Sequence, residues 1–332
     1  MRQISLLDCT LRDGGYVNGW MFGRNEINRI IRGLESSGVD MIELGFLRDT
    51  EYQEDSASFC TAEKAACFLK PKQAEVVYSA MIEAFNPYPL EKLSCRSTDG
   101  IDLIRICIWK RCMDEHLEYC QAAGRKGYQI SIQPSRVEQY SFYEFAEMCR
   151  RANELHPYAV YIVDTWGTQS EGQICRYMEI ADRHLDAGIR AGYHGHNNKL
   201  QAFSCAKAVL DMKMERELCL DASIMGMGRG AGNLCTEIMM SYLNEHDGKS
   251  YGIEHIIQAF DDCLNETYRK TPWGYSMYYY LASEYGCNPD FAAYFSVRKY
   301  GLACFQKFLE TLSEQEKIVF SESFAEQRLK TL

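Results

Sequence analysis

Eight short runs of β-branched and apolar residues recur along this chain, roughly 25–35 residues apart, the unit spacing of alternating strands and helices. They are ISLLDCTL (4–11), DMIELGFL (40–47), EVVYSAMIE (75–83), DLIRICIW (102–109), YQISIQPS (128–135), AVYIVDTWG (159–167), RAGYHGHN (190–197) and LCLDASIMG (218–226). Most gaps between them have helical period. RNEINRIIRGLESSG puts Ile27, Ile30, Ile31 and Leu34 on one face, and YEFAEMCRRANEL, GQICRYMEIADRHLD and LQAFSCAKAVLDM behave likewise. Gly38, Gly127 and Gly188 follow helical patterns and precede strands, where a left-handed cap is expected. The pattern predicts an α/β chain folded as a (β/α)8 TIM barrel of about 250 residues. The rival, a doubly wound open sheet, usually has fewer strands, and no G-x-G-x-x-G follows the first run. The barrel is expected over residues 1–250. Residues 251–332 read as a helical extension, packed on the barrel because no Pro- or Ser-rich linker separates them. The stretch 48–70 has no clear pattern.

Charge narrows the partners. Among 332 residues, 36 are Lys or Arg and 46 are Asp or Glu, a net charge of −10 with no basic block. Nucleic acid and anionic membrane are therefore excluded as expected partners, and small metabolites remain. Fifteen cysteines are present, none in a C-x-x-C pair. The start MRQISLLDCT has no signal-peptide pattern, and no apolar stretch approaches the ~20 residues of a membrane span. The cysteines read as reduced core residues of a cytoplasmic protein.

In a barrel, chemistry sits where the strands end and the following loops begin. That rule gathers Arg12 and Asp13 from TLRDGG, Glu43 from IELGF, Asp164 and Thr165 from VDTWG, His194 and His196 from GYHGHNN, and Asn233 from MGRGAGN. Strand residues two apart share a face, so both imidazoles can turn to the barrel mouth. The first and seventh runs flank the eighth in a closed barrel, which lets Asp13 reach the same point. Two imidazoles and a carboxylate form a facial set suited to Mn2+ or Mg2+, with open positions for a substrate. An H-x-H alone is a weak signal, and an Asp after a strand is more often a cap or turn former. Coincidence at one rim carries the reading. The other five of seven histidines fall in helices or loops, where a surface role is the default. Lys110, in WKRC, suits a Schiff base less than a solvated strand end.

The segments LLDCTLRDGG, GYHGHNN and DASIMGMGRGAGNLCTE resemble the DRE-TIM metallolyase superfamily, which includes HMG-CoA lyases, isopropylmalate and homocitrate synthases and 4-hydroxy-2-oxovalerate aldolases. HGHNN and GAGN are most similar to the aldolases. The resemblance implies a cytoplasmic lyase that makes or breaks a C–C bond next to a 2-oxo acid, through a pyruvate-type enolate. It implies Asp13, His194 and His196 as ligands of Mn2+ or Mg2+, with Asn233 at or near the metal and Arg12 facing the substrate carbonyl oxygen. Tyr275, in PWGYSMYYYLASEYG, aligns with the aldolases' active-site tyrosine. Glu43, Asp164 and Thr165 are the polar groups expected on the substrate side. For Glu43 and Asp164, orienting an arginine and forming an interior salt bridge are equal alternatives.

The sequence also departs from that pattern. The aldolases use a histidine shortly after R-D-G, and Tyr16 stands near that place; the condensing synthases show a glutamine or glutamate, and Gly15 stands there. Tyr16 suits an aromatic wall, a proton donor, or a base if its pKa is depressed. Expected partners are a small 2-oxo acid, a second copy of the chain and, from the resemblance, an acylating aldehyde dehydrogenase. A Claisen-type acyl-CoA synthase or lyase is the neighbouring alternative. A metallohydrolase barrel, whose H-x-H belongs on strand one, and a catalytically inert metal-binding homologue are the more distant ones.

Overall fold

The computed structural model describes residues 3–83 and 85–332. Its strands are β1 (Ile4–Asp8), β2 (Met41–Leu47), β3 (Ser58–Phe59), β4 (Val77–Ile82), β5 (Leu103–Ile108), β6 (Gln129–Pro134), β7 (Ala159–Asp164), β8 (Arg190–Gly195) and β9 (Leu218–Ala222). All pairings are parallel, in the order β1-β9-β8-β7-β6-β5-β4-β2, and β1 pairs with β2 to close an eight-stranded barrel. The two-residue β3 only extends the end of β2. Strands covered on both faces read as continuous apolar runs, and β1, β2 and β7 are buried at every position.

Alternation along the strands decides what fills the barrel. Leu7, Met41, Leu103, Ala159, Tyr161 and Cys219 pack together as an apolar interior layer. Two residues further along three of these strands, on the same face, stand Glu43, Arg105 and Asp221. The interior thus turns from apolar to ionic toward the strands' C-terminal ends.

The helix Arg24–Ser37 buries Ile27, Ile30, Ile31 and Leu34 and ends at Gly38 with φ 76°, a position that favours glycine. Phe142–Asn153 and Glu171–His184 each start with a capping box, Ser141 with Glu144 and Ser170 with Gln173. Between β2 and β4 the only helix among the described residues is Ala62–Ala66, which accounts for the weak pattern of 48–70. After the barrel, Ile253–Ala259 packs on Arg24–Ser37, and Ile256, Ala259 and Leu264 belong to the barrel's own core. A separate core forms between Ala282 and Ala325 around Phe291, Phe295, Phe305 and Phe308. At about 1.5–3 kcal/mol for each fully buried side chain, these rings make that unit a firm structure and not a tail. It grips the barrel's mouth: Ser283 Oγ donates to the carbonyls of Trp166 (3.1 Å) and Gly167 (2.8 Å), and Arg229 pairs with Asp290 at 2.7 Å. Among the described residues no helix is long and apolar enough to cross a membrane.

Candidate metal centre and substrate cavity

At the C-terminal mouth, Asp13, His194 and His196 are buried, and one ligand atom from each lies within 4.8 Å of the others. Asp13 closes the short helix Thr10–Asp13 that follows β1, His194 lies in β8, and His196 follows it. Both imidazoles are fixed from behind. His194 Nδ1 lies 2.9 Å from Asp221 Oδ2, and His196 Nδ1 lies 3.0 Å from the carbonyl oxygen of Asp164. A carbonyl only accepts, so His196 carries its hydrogen on Nδ1, and the carboxylate of Asp221 imposes the same tautomer on His194. Each ring is left with Nε2 as its lone-pair nitrogen.

The arrangement fits a cation. His196 Nε2 is buried without a hydrogen-bond partner, 3.4 Å from Asp13 Oδ2. Two lone-pair acceptors at that separation repel unless a positive charge lies between them. Asn233 Oδ1 is likewise buried and unpartnered, while its Nδ2 donates to Ser223 Oγ at 3.3 Å. The glycine-rich loop makes room for this: a Cβ on Gly228 would lie 2.4 Å from Asn233 Nδ2 and 2.6 Å from Asp13 Oδ2. The backbone N–H of Arg229 donates to Asp13 Oδ2 at 3.3 Å.

Behind these three side chains runs a chain of alternating charge. Asp221 accepts from both His194 and Arg105. Arg105, fully buried, also reaches Glu43 Oε2 at 2.8 Å. Glu43 accepts from Arg12 Nε at 2.7 Å, and Arg12 bonds Asp13. These contacts set the charge states. Burial alone would raise Asp13, but Arg12 and the imidazoles hold it well below the usual carboxylate range. Burial would raise Asp221 too, and Arg105 and His194 outweigh it. His194 is lowered by burial in spite of Asp221, which favours the neutral imidazole a metal needs.

A cavity of about 340 Å3 opens beside Asp13, His194 and His196. Arg12, Tyr16, Thr165, Arg136 and Arg229 contribute to its wall, with Phe46, Met81 and Val163 as apolar lining and Ile318, Val319 and Phe320 from the extension. Tyr16 is 42 % exposed at the mouth, packed edge-on against Trp20. Desolvation against the wall pushes its hydroxyl up to about 12, with Arg229 pulling the other way. That shift favours the protonated hydroxyl.

Three sequence expectations change here. Tyr275 is 47 % exposed and absent from the cavity wall, with its hydroxyl 3.6 Å from the sulfur of Met277. Trp273 instead ties that segment down, donating to the carbonyl of Met225 at 2.9 Å. Glu43 lies beneath the cavity, bound to Arg12 and Arg105, so it is the interior salt bridge that orients Arg12. Asp164 faces its own loop, accepting the N–H groups of Thr168 (2.9 Å) and Gln169 (3.1 Å), and burial raises it to about 7. Thr165 does line the cavity, and its hydroxyl accepts from the Arg136 N–H at 2.8 Å. Lys110 pairs with Glu144 at 2.7 Å outside it.

Comparison with known proteins agrees with this geometry. The HMGL-like family profile matches residues 105–259. An oxaloacetate decarboxylase of Mycobacterium tuberculosis is 26% identical over 278 residues, 83% of this chain and 80% of its own. A 4-hydroxy-2-oxovalerate aldolase of Spirochaeta aurantia is 25% identical over 266 residues, 76% and 72% of the two chains. Among solved structures, the N-terminal domain of a putative aldolase from Bacteroides vulgatus has a TM-score of 0.73 at 21% identity, covering 90% of this chain and 98% of that one. The hydroxymethylglutaryl-CoA lyase of Pseudomonas aeruginosa scores 0.62 at 17% identity, covering 78% and 91%. These two likenesses speak for the fold. Beside them stand the profile match and the two sequence relatives, by which this chain is similar to the HMGL-like family.

Proposed function

We propose that this chain is a divalent-metal-dependent carbon–carbon lyase that breaks, or in reverse makes, the C3–C4 bond of a 2-oxo acid. The observation that carries the proposal is the convergence of Asp13, His194 and His196, with His196 Nε2 and the nearby Asn233 Oδ1 buried and unpartnered, beside Arg12, on a cavity of small-molecule size. The reactions for which the two sequence relatives are named share that bond. Loss of carbon dioxide from oxaloacetate and of an aldehyde from 4-hydroxy-2-oxovalerate both leave the C3–C4 electron pair on C3, as the enolate of pyruvate.

A cation, Mn2+ or Mg2+ by the oxygen and imidazole character of the ligands, would supply Lewis acidity at the 2-oxo oxygen. Arg12 adds a fixed guanidinium, aimed by Glu43 and Asp13, where negative charge develops on that oxygen. Tyr16 keeps its proton and stands on the wall, so it serves as the donor that returns a proton to C3. The proton of a 4-hydroxyl goes to a wall carboxylate outside the ligand set, Glu83 or Asp290. Phe46, Met81, Val163 and Phe320 keep water from the carbanionic carbon. An aldehyde released by such a cleavage suits direct capture by an acylating dehydrogenase.

The test is proton exchange. With Mn2+ and pyruvate in deuterated water, the methyl signal should fade in a metal-dependent way, and Asp13→Asn and Arg12→Ala should abolish the loss. Absence of exchange in the native sequence, together with no cleavage of oxaloacetate or 4-hydroxy-2-oxovalerate, overturns the proposal.

A further inference from the structure

Two cations on the cavity wall, Arg136 and Arg229, have no task in the mechanism above. Arg136 follows β6 at the same end of the barrel as the metal ligands, is 9 % exposed and lines the cavity. Its backbone is left-handed, φ 57°, a conformation in which a non-glycine residue is strained. Two contacts hold the side chain nonetheless, its guanidinium lying 3.4 Å above the Trp166 ring and its Nε donating to Glu138 Oε1 at 2.8 Å, while its backbone N–H donates to Thr165 Oγ1. Its Nη1 is buried and has no hydrogen-bond partner. Arg136 is met by Glu138 through Nε alone, whereas the other charges of the wall are Arg229, bound to Asp290 and Asn288, Glu83, bound to Arg48, and Arg12, bound to Glu43 and Asp13. A guanidinium that is held rigid, desolvated and incompletely bonded is an anion-binding group waiting for its anion.

We infer that Arg136 receives a second carboxylate of the substrate, so that the enzyme acts on 2-oxo dicarboxylic acids. The inference rests on the lyase reading and adds the substrate class to it. With Nε occupied by Glu138, the guanidinium keeps one edge, which matches a planar carboxylate better than a phosphate that needs several donors. The carboxylate lies beyond C4. A carboxylate attached at C3, as in oxaloacetate, must shed its charge on leaving, and a salt bridge to arginine would oppose that. The substrate is then a 4-hydroxy-2-oxo dicarboxylate: the 4-hydroxyl proton leaves, the C3–C4 bond breaks with its pair passing to C3, and the second fragment departs as an aldehyde that carries the carboxylate.

Binding and turnover test it separately. Titration calorimetry of the Mn2+-loaded protein should show 2-oxoglutarate binding at least about tenfold more tightly than 2-oxopentanoate, its five-carbon monocarboxylate counterpart. Arg136→Met should erase that ratio, and Arg136→Lys, which keeps the charge without the fork, should retain part of it. Thermal melts confirm that both variants fold, and the native sequence decides the question even if one does not. In turnover, kcat/KM for 4-hydroxy-2-oxoglutarate should exceed that for 4-hydroxy-2-oxopentanoate by a similar factor. A native protein that exchanges pyruvate protons yet shows no dicarboxylate preference overturns the role of Arg136 and leaves the lyase reading intact. A native protein that binds 2-oxoglutarate selectively but exchanges nothing and cleaves nothing sinks the lyase reading and leaves the anion site standing.

Discussion

Asp221 Oδ2 lies 2.9 Å from His194 Nδ1 and also accepts from Arg105, so one buried carboxylate orients an imidazole and neutralises a guanidinium. Its removal should therefore act at two levels. Asp221→Asn should weaken Mn2+ binding by about 10–100-fold, the usual cost of losing a group that orients a ligating imidazole. His194→Ala should weaken it further, and equilibrium dialysis with metal analysis measures both. Stoichiometric, tight binding by His194→Ala would remove that histidine from the ligand set.

Arg105 separates Glu43 from Asp221 in a fully buried position. Arg105→Met matches its shape but leaves two carboxylates without their shared cation, at a cost of about 3–5 kcal/mol. Urea unfolding should show that loss. In the double variant Arg105→Met/Glu43→Gln the penalties should sum to less than the two singles, because each change relieves the other. Strict additivity would mean the two residues do not share an interaction.

Asp164 gives the stability a pH slope. Its carboxyl is raised to about 7 by burial, against roughly 3.9 in an unfolded chain. Across that interval the folded protein holds a proton that the unfolded chain releases. Its stabilising contribution is therefore complete at low pH and lost as pH rises toward 7, by at most about 1.4 kcal/mol per pH unit. Asp164→Asn carries no such proton. Denaturation midpoints of the metal-free protein at pH 5 and pH 8 should fall more for the native sequence than for the variant, and equal falls contradict the assignment.

Tyr16→Phe removes the hydroxyl and keeps the ring against Trp20. Return of a proton to C3 should slow by about 100-fold, with Mn2+ affinity unchanged. The exchange experiment reads the first and dialysis the second. An unaltered exchange rate would leave Tyr16 as wall alone.

What could be read in the sequence was whatever the barrel rule locates. Asp13, His194 and His196 end up together because a short helix after β1 and the period of β8 bring them to one mouth, and strand geometry is a local property. Arg105 and Asp221 were visible as single charges inside DLIRICIW and LCLDASIMG, in register with apolar interior residues two positions earlier. That offset is the signal that was available and not used. Arg136 lies in a loop, where no period marks an inward side chain. Tyr275 was expected over the site by likeness alone, and the packing of Trp273 against the loop after β9 directs that segment elsewhere. Residues 318–320 have no motif, and only the folding of the distant extension brings them to the cavity.

Because Ile318, Val319 and Phe320 complete a wall whose floor is laid by Arg12 and Asp13, the cavity joins residues about 300 positions apart in the sequence. During synthesis Asp13, His194 and His196 emerge from the ribosome about 120 residues before that wall, as the numbering of His196 against Ile318 shows. A nascent barrel can thus bring Asp13, His194 and His196 together while the cavity still lies open to water, and the wall is completed only when the helical extension folds.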